Sequence, residues 1–178
     1  MADVFLRASG ADFGQAENRK LEKSPALLEK ARSILKNYKD KVVLPKDLAF
    51  LRNGKRVDVP VGQGTEGDAV RDIGKRTSNE YAEIIKESKT VVSSGPLGVF
   101  EEKGFDLGSR TVLEAMATQG ACSVVGGGHM GSYASSLGLD KRITHVSTAG
   151  GAMLAFLAGE ELPGVKALVD AASRQKTK

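Results

Sequence analysis

Residues 122–132 read Cys-Ser-Val-Val-Gly-Gly-Gly-His-Met-Gly-Ser. Residues suited to a buried strand run into three glycines, and small residues suited to a helix follow. A strand that ends in glycine just before a helix is a natural anion site. Glycine lets backbone N–H groups approach closely, and the helix start adds unpaired donors with about half a unit of positive charge. The pattern recurs in Thr90-Val-Val-Ser-Ser-Gly-Pro-Leu-Gly-Val-Phe-Glu101 and in Thr144-His-Val-Ser-Thr-Ala-Gly-Gly-Ala-Met-Leu154. In an open parallel sheet, ligands bind beyond the carboxyl ends of the strands. One such turn is equally a plain tight turn; three in one sheet point to a phosphate cradle.

Outward from these turns the chain alternates. Strands are expected at 90–94, 121–125 and 143–147, and helices at 108–118, 130–137, 152–157 and 165–172. Short connections between them imply a parallel sheet covered on both faces. The expected class is therefore α/β, a Rossmann-like three-layer sandwich with a mostly parallel sheet, in one domain spanning 1–178. Upstream, Ser24-Pro25 starts a helix whose apolar stripe is Leu27, Leu28, Ala31 and Leu35. Lys41 to Pro45 reads as a short buried strand. Asn53-Gly54 joins 48–52 to 55–59 as a hairpin. Residues 61–67 read as a loop, and Thr77 with Glu80 as a capping box for a helix reaching Glu87. Met1 to Ala8 already resembles a helix, with no strand before it. The tail, 173–178, is expected to fray.

Composition narrows the function. The chain has 178 residues, 40% of them hydrophobic and 5% aromatic, with 21 glycines and no tryptophan. That is ample for one packed core. No apolar run is long enough for a membrane span, and the first residues lack a secretory leader, so a cytoplasmic protein is expected. Cys122 is the single cysteine, which leaves no internal disulfide; in a buried strand it is expected to be inert. Net charge is +4. The basic residues between Arg19 and Arg56 are interleaved with Glu22, Glu29 and Asp40 and carry no aromatic stacking platform. They read as a solvated face and not as a nucleic-acid surface.

Gly126-x-Gly128-x-x-Gly131 satisfies the dinucleotide fingerprint, but that site needs an acidic residue about 20 positions later. None lies between Asp140 and Glu160, so a dinucleotide-dependent oxidoreductase is disfavoured. A G-x-x-x-x-G-K-[ST] loop is absent too. Glu101, just past a strand end, could accept from a ribose hydroxyl and Val99 could pack on a base; on spacing alone the reading of Glu101 as a surface residue beside Glu102 is the stronger. His145 reads as a hydrogen-bonded structural histidine in its strand.

Three segments together resemble phosphoglycerate kinase: SGPLGVFE at 94–101, GGGHMGS at 126–132 and DKRITHVSTAGGAMLAFLAGEELPGVKAL at 140–168. VVLPKDLAF (42–50) and RDIGKRTSNEYAEIIKESKTVV (71–92) fit more weakly. The resemblance covers the whole chain but only the carboxyl-terminal, nucleotide-binding half of that enzyme. It implies transfer of phosphate between 1,3-bisphosphoglycerate and ADP, with Mg²⁺ accompanying ADP or ATP. By the resemblance Glu101 binds the ribose in the turn of Gly98, while Val99 and Pro45 line the adenine pocket. Gly126, Gly127, Gly128, His129 and Met130 form the phosphate loop, and Gly128, Gly150 and Gly151 face the transferring phosphoryl group. Where the family's loop has Asp-Thr, this chain has His129-Met130. Histidine suits Mg²⁺ poorly, so no protein ligand for the metal is expected. The family's 3-phosphoglycerate-binding domain has no counterpart in the sequence, so the chain alone is expected to be inactive and monomeric. The alternative is a non-enzymatic nucleotide-binding or interaction module of the same fold.

Overall fold

The structure, a computed structural model, describes residues 1–13, 18, 21–64, 69–118 and 120–175. It divides into two compact units, one of Met1–Lys86 and Pro96–Ala115, the other of Glu87–Gly95 and Met116–Lys178.

The first unit opens with helix α1 (Ala2–Ala8) and helix α2 (Pro25–Asn37). Pro25 sits at the start of α2, where its missing N–H costs nothing. Leu28 and Ala31 of α2 pack with Val4 of α1. Three antiparallel strands follow, β1 (Asp47–Arg52), β2 (Lys55–Pro60) and β3 (Val70–Ile73), in the order β2-β1-β3. The β1–β2 hairpin turns where the sequence places it, with Asn53 at φ 49° and Gly54 at φ 72°, as a two-residue turn between twisted strands requires. Leu48, Phe50 and Val59 of this sheet form a core with Leu6 and Phe13. Helix α3 (Lys75–Glu87) and helix α4 (Leu107–Thr118) both start in this unit.

Two readings of the first unit are corrected. Residues 41–45 form no strand; a short 3-10 turn at Lys39–Lys41 leads into an extended segment. One side chain of α3 bonds that backbone and another the residue just beyond it. The Tyr81 hydroxyl donates to the Val43 carbonyl at 3.0 Å, and Thr77 Oγ1 accepts from Lys46 N at 2.9 Å. Thr77 also does not cap α3, which begins two residues earlier. Asp47 accepts from the N–H groups of Arg76 (3.0 Å) and Thr77 (2.8 Å), and Asp58 from that of Lys75 (2.8 Å). Strand carboxylates therefore hold the start of α3, and Glu80 pairs with Lys46. Of the expected loop at 61–67, the last three residues lie outside the described residues, as do 176–178 of the tail.

Burial, with a smaller push from the Glu80 charge, raises the Tyr81 hydroxyl to about 12. In the unfolded chain it ionises near 10. Between those values the unfolded state has lost a proton that the folded state keeps. Stability should therefore fall as pH rises from about 10 to 12, by at most about 1 kcal/mol per unit for this half-buried group. Urea unfolding of wild type and Tyr81→Phe across that window checks it: the difference between the two proteins should carry the slope. Parallel curves would refute it.

The second unit holds the parallel sheet β4 (Thr90–Ser94), β5 (Cys122–Gly126) and β6 (His145–Ser147), in that order. Helix α5 (Gly128–Ser136) packs on β5 and β6, and helices α6 (Gly150–Leu157) and α7 (Pro163–Gln175) follow. Val125, Met130, Tyr133, Ala134 and Ile143 are buried in it. The sheet is less covered than expected: β4 has no buried residue, and Cys122 is exposed at the entry of β5. His145 is likewise exposed. Leu154, Phe156 and Leu157 of α6 and Val165, Leu168 and Val169 of α7 also leave their side chains largely in solvent.

Candidate functional site

In the second unit the parallel register sets Ser94 beside Gly126 and Gly126 beside Ser147. All three strands thus end together, and two of the glycine turns meet there. Gly127, at φ 97° and ψ 140°, reverses the chain between β5 and α5, and its N–H donates to the Ser147 carbonyl at 2.9 Å. A Cβ on Gly150 would lie 3.2 Å from the Gly127 Cα. The backbones touch because neither residue has a side chain. Helices α5 and α6 start directly from these turns, with no side-chain cap and no acidic residue in either first turn. Two sets of unpaired N–H donors, each at the positive end of a helix, are left beside one another. Gly128, His129 and Gly151 are exposed at these starts. Met130 is fully buried and presents no surface of its own to a ligand.

In the first unit the loop from Pro96 to Asp106 carries Gly98, Val99 and Glu101. Strand β3 holds it: Val99 N donates to the Arg71 carbonyl at 2.8 Å, and Arg71 pairs with Glu102 at 2.9 Å. Leu97 N donates to Ser109 Oγ at 3.0 Å. Gly98 lies against Asp72, where a Cβ would come within 2.4 Å of the carboxyl carbon and of the Phe105 carbonyl. Glu101 is exposed at the tip of this loop. Pro45 is buried in the segment that Thr77 and Tyr81 hold.

The structure thus groups Gly126, Gly127, Gly128, His129, Met130, Gly150 and Gly151 in one unit, and Pro45, Gly98, Val99 and Glu101 in the other. Sequence reasoning missed Asp72. Its side chain is fully buried, accepting from Arg56 Nη1 at 2.8 Å, Gly108 N at 3.0 Å and Ile73 N at 2.8 Å. Burial raises this carboxyl above its ordinary 3.8, while the bonds from Gly108, Arg56 and Ile73 pull against that. A carboxylate set next to isoleucine in a strand was the signal that could have found it.

A phosphoglycerate kinase family model matches residues 1–160. The phosphoglycerate kinase of Methanothermus fervidus is 41% identical over 177 residues, 98% of this chain and 43% of the relative. That of Archaeoglobus fulgidus is 41% identical, over 94% of this chain and 42% of its own. The chain belongs to the phosphoglycerate kinase family. Among solved structures, the Pyrococcus horikoshii enzyme superimposes with a TM-score of 0.77 at 37% identity, covering 94% of this chain and 42% of that one. The Coxiella burnetii enzyme gives 0.76 at 34% identity. The α/β, Rossmann-like class read from the sequence is therefore the family's. The chain spans about 43% of the length of the curated relatives it matches. No helix among the described residues is long and apolar enough to cross a membrane.

Proposed function

We propose that this chain is the nucleotide-binding half of a phosphoglycerate kinase, holding ADP or ATP with its phosphates on the turns at 126–130 and 149–151. The observation that carries the reading is the backbone contact of Gly127 with Gly150, which sets two uncapped helix starts side by side. Phosphoryl transfer depends mostly on positioning and on stabilising charge over the phosphoryl oxygens. Fixed N–H donors at Gly128, Gly150 and Gly151 supply that stabilisation without reorganising. Within the first unit, Glu101 is the group that the family resemblance assigns to a ribose, and Val99 and Pro45 those that it assigns to a base.

Magnesium would come with the nucleotide phosphates, and the phosphate loop offers it His129 where an oxygen ligand would be wanted. The reaction of the whole enzyme also needs a site for the phosphoglycerate. Tested as these residues alone, the chain is expected to bind nucleotide without turnover, as a monomer.

Calorimetry with ADP, ATP, NAD and inorganic tripolyphosphate tests the reading. ADP and ATP should bind in preference to NAD, and tripolyphosphate should compete with ATP. Glu101→Ala should weaken adenosine and ADP alike, by about tenfold, because it acts on the sugar. A preference for NAD, or no nucleotide binding at millimolar concentration, would sink the proposal.

A further inference from the structure

Arg56, on β2, is far in sequence from the glycine turns that end the parallel strands, yet its guanidinium ties together its own strand, strand β3 and the loop at 96–106. Nε pairs with Asp58 at 2.8 Å. Nη1 donates both to Asp72 Oδ2 at 2.8 Å and to the Gly104 carbonyl at 2.9 Å. Nη2 donates to the Ile73 carbonyl at 2.7 Å. The guanidinium carbon also lies 5.8 Å from the centre of the Phe105 ring. Only a planar fork of donors can satisfy this set of acceptors; a lysine would serve one or two.

Its partner Asp72 is the hub of the same loop. The carboxylate that receives Arg56 also accepts from Gly108 N, at the first turn of α4, and abuts Gly98 so tightly that no side chain fits there. The loop from Pro96 to Asp106 is therefore fixed near both ends. Gly98 is seated on Asp72, and Gly104 and Phe105 are held by Arg56. Glu101 stands at the exposed tip between them. Asp58, also bound to Arg56, receives the Lys75 N–H and so couples the start of α3 to the same group.

The geometry points to Arg56 and Asp72 as the positioning pair for the nucleoside-binding loop, setting the placement of Val99 and Glu101 without touching the nucleotide. This rests on the reading that the loop binds a nucleoside. The burial of the pair argues for such a role over a surface one. An exposed ion pair holds little, whereas a buried, multiply bonded one fixes what is attached to it. A displacement of about an ångström at a binding group can cost orders of magnitude in affinity or rate.

The test uses the full chain with adenosine, ADP and inorganic tripolyphosphate as probes, in wild type, Arg56→Lys and Asp72→Asn. Asp72→Asn preserves the volume of the hub should the lysine variant not fold. In each variant adenosine and ADP should weaken by about tenfold or more, while tripolyphosphate, which meets only the other glycine turns, stays within about twofold of wild type. Hydrogen exchange should quicken at the Val99 and Gly108 amides and stay unchanged in the β1–β2 hairpin. Adenosine binding like wild type in both variants overturns the positioning role and leaves the nucleoside reading standing. Equal weakening of adenosine and tripolyphosphate, or failure of both variants to fold, makes the pair a general structural feature and also overturns it. A wild-type chain that binds tripolyphosphate but no adenosine removes the nucleoside reading and the positioning role together.

Discussion

Gly98→Ala should destabilise the first unit by about 3 kcal/mol and bring adenosine binding below detection. The added methyl would stand 2.4 Å from the Asp72 carboxyl carbon and 2.4 Å from the Phe105 carbonyl oxygen. Neither neighbour can give way cheaply. The carbonyl is backbone, and the carboxylate is pinned by Arg56, Gly108 and Ile73. Overpacking alone costs about 1–3 kcal/mol; breaking up a buried, bonded charge pair costs about 3–5 kcal/mol. The smaller sum of partial adjustments sets the estimate. Urea unfolding read by a probe in the β1–β2 hairpin measures the first part, and adenosine titration the second. Because the methyl and an altered Arg56 damage the same contact, Gly98→Ala and Arg56→Lys should combine to less than the sum of their separate effects. Full additivity, or adenosine affinity kept by Gly98→Ala, would show that Gly98 does not seat the loop.

The parts of this fold that are decided locally were legible in the sequence. Asn53-Gly54 can only turn one way between twisted strands, and each of the three runs ending in glycine became a strand, two of them leading straight into a helix through their glycines and the first into the loop at 96–106. What could not be read was set by partners distant in sequence. Strand β3 carries Arg71 and Asp72 in a short segment with no alternation; it exists because β1 pairs with it. The stretch at 41–45 looks like a strand, but no ladder forms there; Tyr81 bonds the Val43 carbonyl and Thr77 the amide of Lys46 just beyond it. The start of α3 is held by carboxylates 17 and 30 residues away, where a local capping box had been expected. Cys122 has the neighbours of a buried residue and lies exposed because it is the first residue of its strand. For the candidate site the same division holds. The glycines that approach an anion were visible, since nothing but backbone chemistry is needed to name them. Asp72 and Arg56 were not, since their importance lies in what folding brings to them.

Gly127→Ala should be the most damaging single change at the phosphate turns, and comparison with Gly128→Ala separates architecture from ligand binding. Gly127 adopts φ 97° and ψ 140°, close to a region that side-chain-bearing residues scarcely occupy. Holding an alanine there costs about 2–3 kcal/mol. To escape, the peptide must rotate, which breaks the Gly127 N–H bond to Ser147 and shifts the first turn of α5. Either way the two helix starts lose their register, and tripolyphosphate and ATP should both weaken by about a hundredfold. Gly128 has an ordinary φ and open space around the position of a Cβ. As the first residue of α5, an alanine there should leave stability within about 1 kcal/mol of wild type. Its methyl nonetheless occupies space that an approaching phosphate must enter, so tripolyphosphate affinity should fall by about tenfold or more in a protein that folds as before. Thermal unfolding and tripolyphosphate titration of the two variants decide the matter. If Gly128→Ala binds tripolyphosphate like wild type while Gly127→Ala loses both stability and binding, the turn shapes the fold and the anion sits elsewhere. Loss of binding in the stable variant is the outcome that places phosphate on this turn.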